Sequence, residues 1–218
     1  MRVATALSDN FMRCGGSSLF KDLGRQIDRG VRVRTIRELK ASPTLVLGFH
    51  GGFGYARRKL FARLFPDSVI IGATGKHTAT DGAHALFAAR EALLQNRLVL
   101  IAPDGRFGKE SGTISILGAQ LPVTDGPPFL AHISRCSVTW LALLRTQDGF
   151  TLETMAGPRH EEGEAFAGYR DRFYRFYTER LEEAFTSDPA NLSLTINWKL
   201  IFSAMLAGKV YRFRRPTR

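Results

Sequence analysis

No apolar run in the chain approaches the roughly 18 residues that a membrane-spanning helix requires, so a soluble or peripheral protein is expected rather than an integral one. The first residues, MRVATALSDNFMR, also lack the long apolar core of a signal peptide. Cysteine is scarce: Cys14 and Cys136 are far apart and have no metal-ligand spacing. That excludes a disulfide framework and suits a reducing compartment. Two phosphate-binding signatures are missing, the G-x-x-x-x-G-K-[ST] loop and a complete dinucleotide fingerprint. There is no G-x-S-x-G nucleophile elbow either. The histidines (His50, His77, His84, His132 and His160) show no recognised ligand spacing, so no metal and no tightly bound cofactor is expected. Acidic residues are few beside basic ones, 20 against 31, leaving a formal net charge of +11. Such a surplus calls for an anionic partner: nucleic acid, an anionic membrane surface, or a phosphate-bearing substrate. No recognised nucleic-acid reader motif accompanies it, and no nucleic acid is expected.

What is present fits one α/β domain over residues 1–218, with 44% hydrophobic and 23% charged residues and no repeats or linkers. Strand-length apolar runs alternate with helical patterns, which predicts a mostly parallel central sheet flanked by helices. Residues 1–40 read as a basic, helical N-terminal arm, with helices from Ser17 to about Leu39. Strands are expected at Leu45–Phe49, Ser68–Gly72, Leu98–Ala102 and Val138–Leu144, the last paired with Phe150–Met155 across Gln147-Asp148-Gly149. A further apolar segment covers Thr113–Leu117. Thr124-Asp125-Gly126-Pro127-Pro128 reads as a helix start with polar caps, and the helix is expected to reach about Arg135. From Gly82 to Asn96 a helix is expected to bury Leu86, Ala89 and Leu93, with Phe87 and Leu94 as further candidates. Phe166–Phe185 is amphipathic, and its aromatic stripe reads as core. Residues 195–218 form an amphipathic basic segment, with Trp198, Ile201, Phe202, Met205 and Leu206 on one face.

The chemistry is concentrated in two places. In Thr44–Leu60, TLVLGFHGGFGYARRKL, a strand ends at His50, followed by Gly51, Gly52 and Gly54 and then a basic helix. Glycines there let backbone N–H groups approach a reacting carbonyl, and a helix N-terminus favours negative charge. The alternative reading is a tight turn whose histidine bonds a neighbour, with Arg57 and Arg58 on a solvated helix face. The second place is Ala102-Pro103-Asp104-Gly105-Arg106-Phe107-Gly108, at the end of the Leu98–Ala102 strand.

In the order and spacing of these blocks, from about Leu45 to Leu194, the sequence resembles the lysophospholipid acyltransferase superfamily. It is nearest the bacterial lipid A lauroyl/myristoyl acyltransferase branch. The resemblance implies a fatty acyl transfer from an acyl thioester, on acyl carrier protein or coenzyme A, to a hydroxyl or amine of a lipid-like acceptor. His50 would be the general base, and Asp104, which with Arg106 matches the family's second block, would line the pocket or hold substrate phosphate. Backbone N–H groups around Gly51 and Gly52 would stabilise the oxyanion. Tyr55, Arg57, Arg58, Arg106 and Gly108 would line the substrate site, the arginines meeting phosphate. It also implies peripheral association with an anionic inner-membrane surface from the cytoplasmic side. One departure stands out: the family motif is H-x4-D/E, and the fifth residue after His50 is Tyr55. Three explanations are open. Asp104, Asp81 or Glu110 replaces the acid through space; the enzyme is slow or uses a more nucleophilic acceptor; or the chain is an inactive relative that binds lipid or acyl carrier protein.

Overall fold

An apolar run of four residues is too short for a helix but long enough for a strand buried on both faces. The computed structural model describes residues 31–33, 39, 43–50, 53–71, 82–104, 112–146, 149–188 and 191. In chain order the elements are β1 (Val31–Val33), β2 (Thr44–Leu47), α1 (Gly54–Leu64), β3 (Val69–Ile70), α2 (Gly82–Leu94), β4 (Leu98–Ile101), β5 (Gly112–Ile116), β6 (Ala119–Val123), α3 (Gly126–Ser134), β7 (Ser137–Thr146), β8 (Gly149–Ala156) and α4 (Phe166–Ser187). Among the described residues six strands form one sheet in the order β1-β8-β7-β2-β4-β3. Every pairing in it is parallel except β7 with β8. The fold is therefore α/β, a mostly parallel mixed sheet flanked by helices. Among the described residues no helix is long and apolar enough to cross a membrane.

Side chains alternate across a strand, so the two faces of this sheet can be read residue by residue. Val46, Leu98, Leu100, Leu141 and Leu143 pack on one face with Leu60 and Phe61 of α1 and the flanking Phe53 and Phe65. Leu45, Leu47, Val99, Ile101, Val138, Trp140 and Ala142 face the other way, against α2, α3 and α4. On α4, Tyr169, Phe173, Tyr177 and Leu181 recur every fourth residue and are completely buried. A side chain of this kind contributes about 1.5–3 kcal/mol when taken from water, which accounts for the helix docking along its whole length.

Several expectations need correction. Val31–Val33 is a strand, not part of a helix: it pairs in parallel with β8 from Val31↔Phe150 to Val33↔Leu152. A ladder partner overrides local periodicity there, and alternating Val-Arg-Val fits a period of two. The rest of the expected helical arm, apart from Leu39, and the whole 195–218 segment lie outside the described residues. The strand expected over Ser68–Gly72 shrinks to Val69–Ile70. It is half-buried rather than buried, because it forms the edge beyond β4. Thr113–Leu117 turned out to be half of a hairpin. β5 and β6 pair antiparallel about Leu117-Gly118, both in the left-handed region (φ 48° and 89°), as a tight two-residue hairpin turn requires. Phe87 and Leu94 are not core: they are 68% and 58% exposed, and Leu86 is only half-buried, while α2 buries the expected Ala89 and Leu93 together with Ala85 and Ala92. Helical spacing that sets Ala89, Ala92 and Leu93 in the core turns Phe87 and Leu94 outward. Asp125 stands at the N-cap of α3 without a capping bond from its side chain. Its carboxylate accepts from the Tyr174 hydroxyl at 3.2 Å.

Candidate active site

β2 and β4 are adjacent and parallel, with Leu47 paired to Ile101, and the Gly48 N–H donates to the Ile101 carbonyl at 2.8 Å. Beyond that pairing the two chains part. β2 leads to α1 on one face of the sheet, and β4 leads to the hairpin and α3 on the other. Adjacent parallel strands whose exits diverge leave a crevice at their carboxyl ends, the usual ligand site of open α/β sheets. His50 follows Leu47 at the same offset as Asp104 follows Ile101. The shared register therefore brings these two residues side by side from 54 positions apart.

The contact is two-pronged. The His50 backbone N–H donates to Asp104 Oδ2 at 2.9 Å, and His50 Nδ1 lies 3.3 Å from Oδ1. A third donor arrives from α4, where the Tyr177 hydroxyl is 2.8 Å from Asp104 Oδ1 and 3.2 Å from the Gly48 carbonyl oxygen. The Asp104 side chain has no solvent exposure, whereas that of His50 is 49% exposed. Burial alone would raise the Asp104 pKa. The bonds and charge of His50, with the Tyr177 bond, outweigh it and hold the carboxyl below its ordinary value. Tyr177 moves the other way: burial and the neighbouring carboxylate push its hydroxyl well above the ordinary value, so it stays a donor. An ionised carboxylate only accepts, so in the neutral imidazole Nδ1 carries the ring proton and Nε2 keeps its lone pair. That is the tautomer a general base needs.

Arg57 is neither on a solvated face nor free to clamp phosphate. It is 4% exposed, its Nη2 donates to the Phe49 carbonyl, and its guanidinium lies 4.7 Å from the centre of the Phe49 ring. Gly48 makes the room: a Cβ there would come within 2.8 Å of Nη2. Burial draws the Arg57 pKa down to about 10, against the pull of Tyr177 and Asp104, which leaves it charged at neutral pH. It braces the segment that carries His50, while Phe49 itself stacks on Trp140 at 4.9 Å. Arg58 is half-buried next to it, and Lys59 is exposed.

Of the remaining expected site residues, Gly51, Gly52, Arg106 and Gly108 lie outside the described residues, as do Asp81, Glu110 and the side chain of Tyr55. His84 is exposed. The rings of His132 and His160 are 4.7 Å apart, beside Tyr169. Among the described residues no three His, Cys, Asp or Glu side chains are grouped to hold a metal ion. Sequence reasoning missed Tyr177 as a site residue, because its position in the α4 stripe marks it as core. The available signal was the hydroxyl, since a buried tyrosine requires a hydrogen-bond partner that phenylalanine does not.

The class defined by fold and site is an α/β protein with a histidine–aspartate pair at the switch point of its sheet. No model of a known protein family matches the chain, and no curated protein matches it.

Proposed function

We propose that the protein is an acyltransferase of the lysophospholipid acyltransferase type, moving a fatty acyl group from a thioester of acyl carrier protein or coenzyme A to a lipid-like hydroxyl or amine. The observation that carries this reading is the pair itself: a buried, ionised Asp104 on Nδ1 of a half-exposed His50. In this mechanism Nε2 takes the acceptor's proton as the acceptor oxygen or nitrogen bonds to the thioester carbonyl carbon. The carbonyl electron pair moves onto oxygen, where N–H groups of Gly51 and Gly52 would meet it. When the carbonyl re-forms, the carbon–sulfur bond breaks and the leaving thiolate takes the proton back from His50. Asp104 stabilises the imidazolium between these steps. Direct attack is favoured over a covalent intermediate on Cys136, because that residue is buried and its thiol is pushed up to about 11. Arg58 and Arg106 would meet substrate phosphate. The +11 charge would hold the protein at an anionic membrane surface, on the cytoplasmic side in this reading.

The competing reading, an inactive relative that binds lipid or acyl carrier protein, draws on Tyr55 at the position of the family's acid. Asp104 already engages Nδ1, which favours activity. Tyr55→Glu should therefore bring no large gain in transfer rate; a gain of orders of magnitude would mean that Asp104 does not serve as the orienting acid. The function itself is tested by incubating the protein with a panel of labelled acyl thioesters and total lipid extract, followed by mass spectrometry. The expected product is an acylated lipid that carries the label. Binding of the thioesters or lipids without any labelled product would sink the transferase reading.

A further inference from the structure

We propose that Tyr177 is a positioning residue for the His50–Asp104 pair, its hydroxyl fixing the Asp104 carboxylate in the orientation that faces Nδ1. The inference rests on the reading of that pair as a base and its orienting acid. Tyr177 belongs to a buried stripe in which a phenylalanine, as at Phe173, satisfies packing alone. Its ring meets Trp140 edge-on at 5.7 Å, and the hydroxyl reaches past the core to the ends of β2 and β4. There it meets the same carboxylate oxygen that faces Nδ1, while the other oxygen takes the His50 backbone N–H. The terminal torsion of an aspartate is broad and weakly held by its own rotamer preference. A carboxylate shut off from water therefore keeps one orientation only if donors hold both oxygens. The Nδ1 contact is long at 3.3 Å, so the 2.8 Å bond from Tyr177 is the firmer hold on Oδ1. Among the described residues, a further charged group acting here comes from α1: Arg57 acts through space on both Asp104 and Tyr177, with Arg58 beside it. Raised well above its ordinary value, the Tyr177 hydroxyl keeps its proton and remains a donor.

Tyr177→Phe keeps the ring and removes only the donor. In the full chain labelled with carboxyl-13C aspartate and 15N histidine, the Asp104 titration midpoint is expected to rise. The neutral form of the His50 ring should also lose its preference for the Nδ1–H tautomer. Tyr174→Phe is the control. It removes a hydroxyl of the same helix from the Thr124 carbonyl at 2.6 Å and from Asp125, and should leave both signals where they were. A fluorinated tyrosine at position 177, a more acidic donor, should move the Asp104 midpoint downward and provides the answer even if the Phe variant does not fold. An unchanged midpoint and tautomer in the variants at 177, or equal shifts in the Tyr174 control, would overturn the proposal. Neither signal depends on acyl transfer, so a protein inactive with every thioester still passes or fails this test.

Discussion

Replacing His50 with alanine is expected to reduce acyl transfer to background, a loss of about 10²–10⁴ in kcat, the range a general base contributes. The fold should survive. The imidazole is 49% exposed and adds little to the core. Asp104 keeps the donors from the His50-position backbone N–H and from Tyr177. Water entering from the open side would hydrate the vacated oxygen, and the unfolding free energy should fall by only about 1 kcal/mol. Steady-state transfer with the best thioester, beside urea unfolding of the same sample, separates the two effects. A variant that transfers at the wild-type rate would remove His50 from the mechanism.

Asp104→Asn should be nearly as damaging, for a different reason. The amide has the size of the carboxyl but only one accepting oxygen, so it cannot serve both the His50 backbone N–H and Nδ1–H. The imidazole then favours the other tautomer, with its proton on Nε2, and the base is lost. A drop of about 10²–10⁴ in kcat is expected, comparable to the wrong-tautomer variants of serine hydrolases. The same substitution should alter stability against pH, and the sign follows from linkage. The native Asp104 pKa lies below its ordinary value of 3.8, so between the two the unfolded chain binds more protons. The stability this carboxylate contributes is complete above its ordinary value and is lost as pH falls through the native one. Asparagine does not titrate, so the variant should be less stable at neutral pH and show a shallower loss in acid. Parallel acid slopes for variant and wild type, measured by urea unfolding across that window, would refute the assignment of Asp104 as a buried charge.

Much of the scaffold is legible because it is encoded locally. The runs at Leu45–Leu47 and Leu98–Ile101 are apolar at consecutive positions and have strand length, so they emerge as β2 and β4. The hairpin of β7 and β8 follows from a turn signal between two β-rich runs, and α4 from its four-residue aromatic repeat. His50 is legible only in part from its surroundings, because the strand, glycines and helix around it also fit a tight turn; the distant Pro103–Gly108 block tips the reading towards chemistry. Where the sequence misleads, the deciding contact is distant. Val31–Val33 is extended because β8 lies beside it. Phe87 faces out because the alanines of α2 face in, and Arg57 is buried because Gly48, across a turn, has no side chain to exclude it.

By itself, then, the sequence determined the alternation of strands and helices and the burial of the α4 stripe, since each depends on neighbours within a few residues. Which of three acids meets the imidazole, and which hydroxyl meets that acid, was decided only in three dimensions. Parallel pairing of β2 with β4 aligns two chain ends 54 residues apart, and the packing of α4 on that sheet brings in Tyr177. Register between strands is a property of the assembled sheet, so no local pattern around His50 or Asp104 could state it.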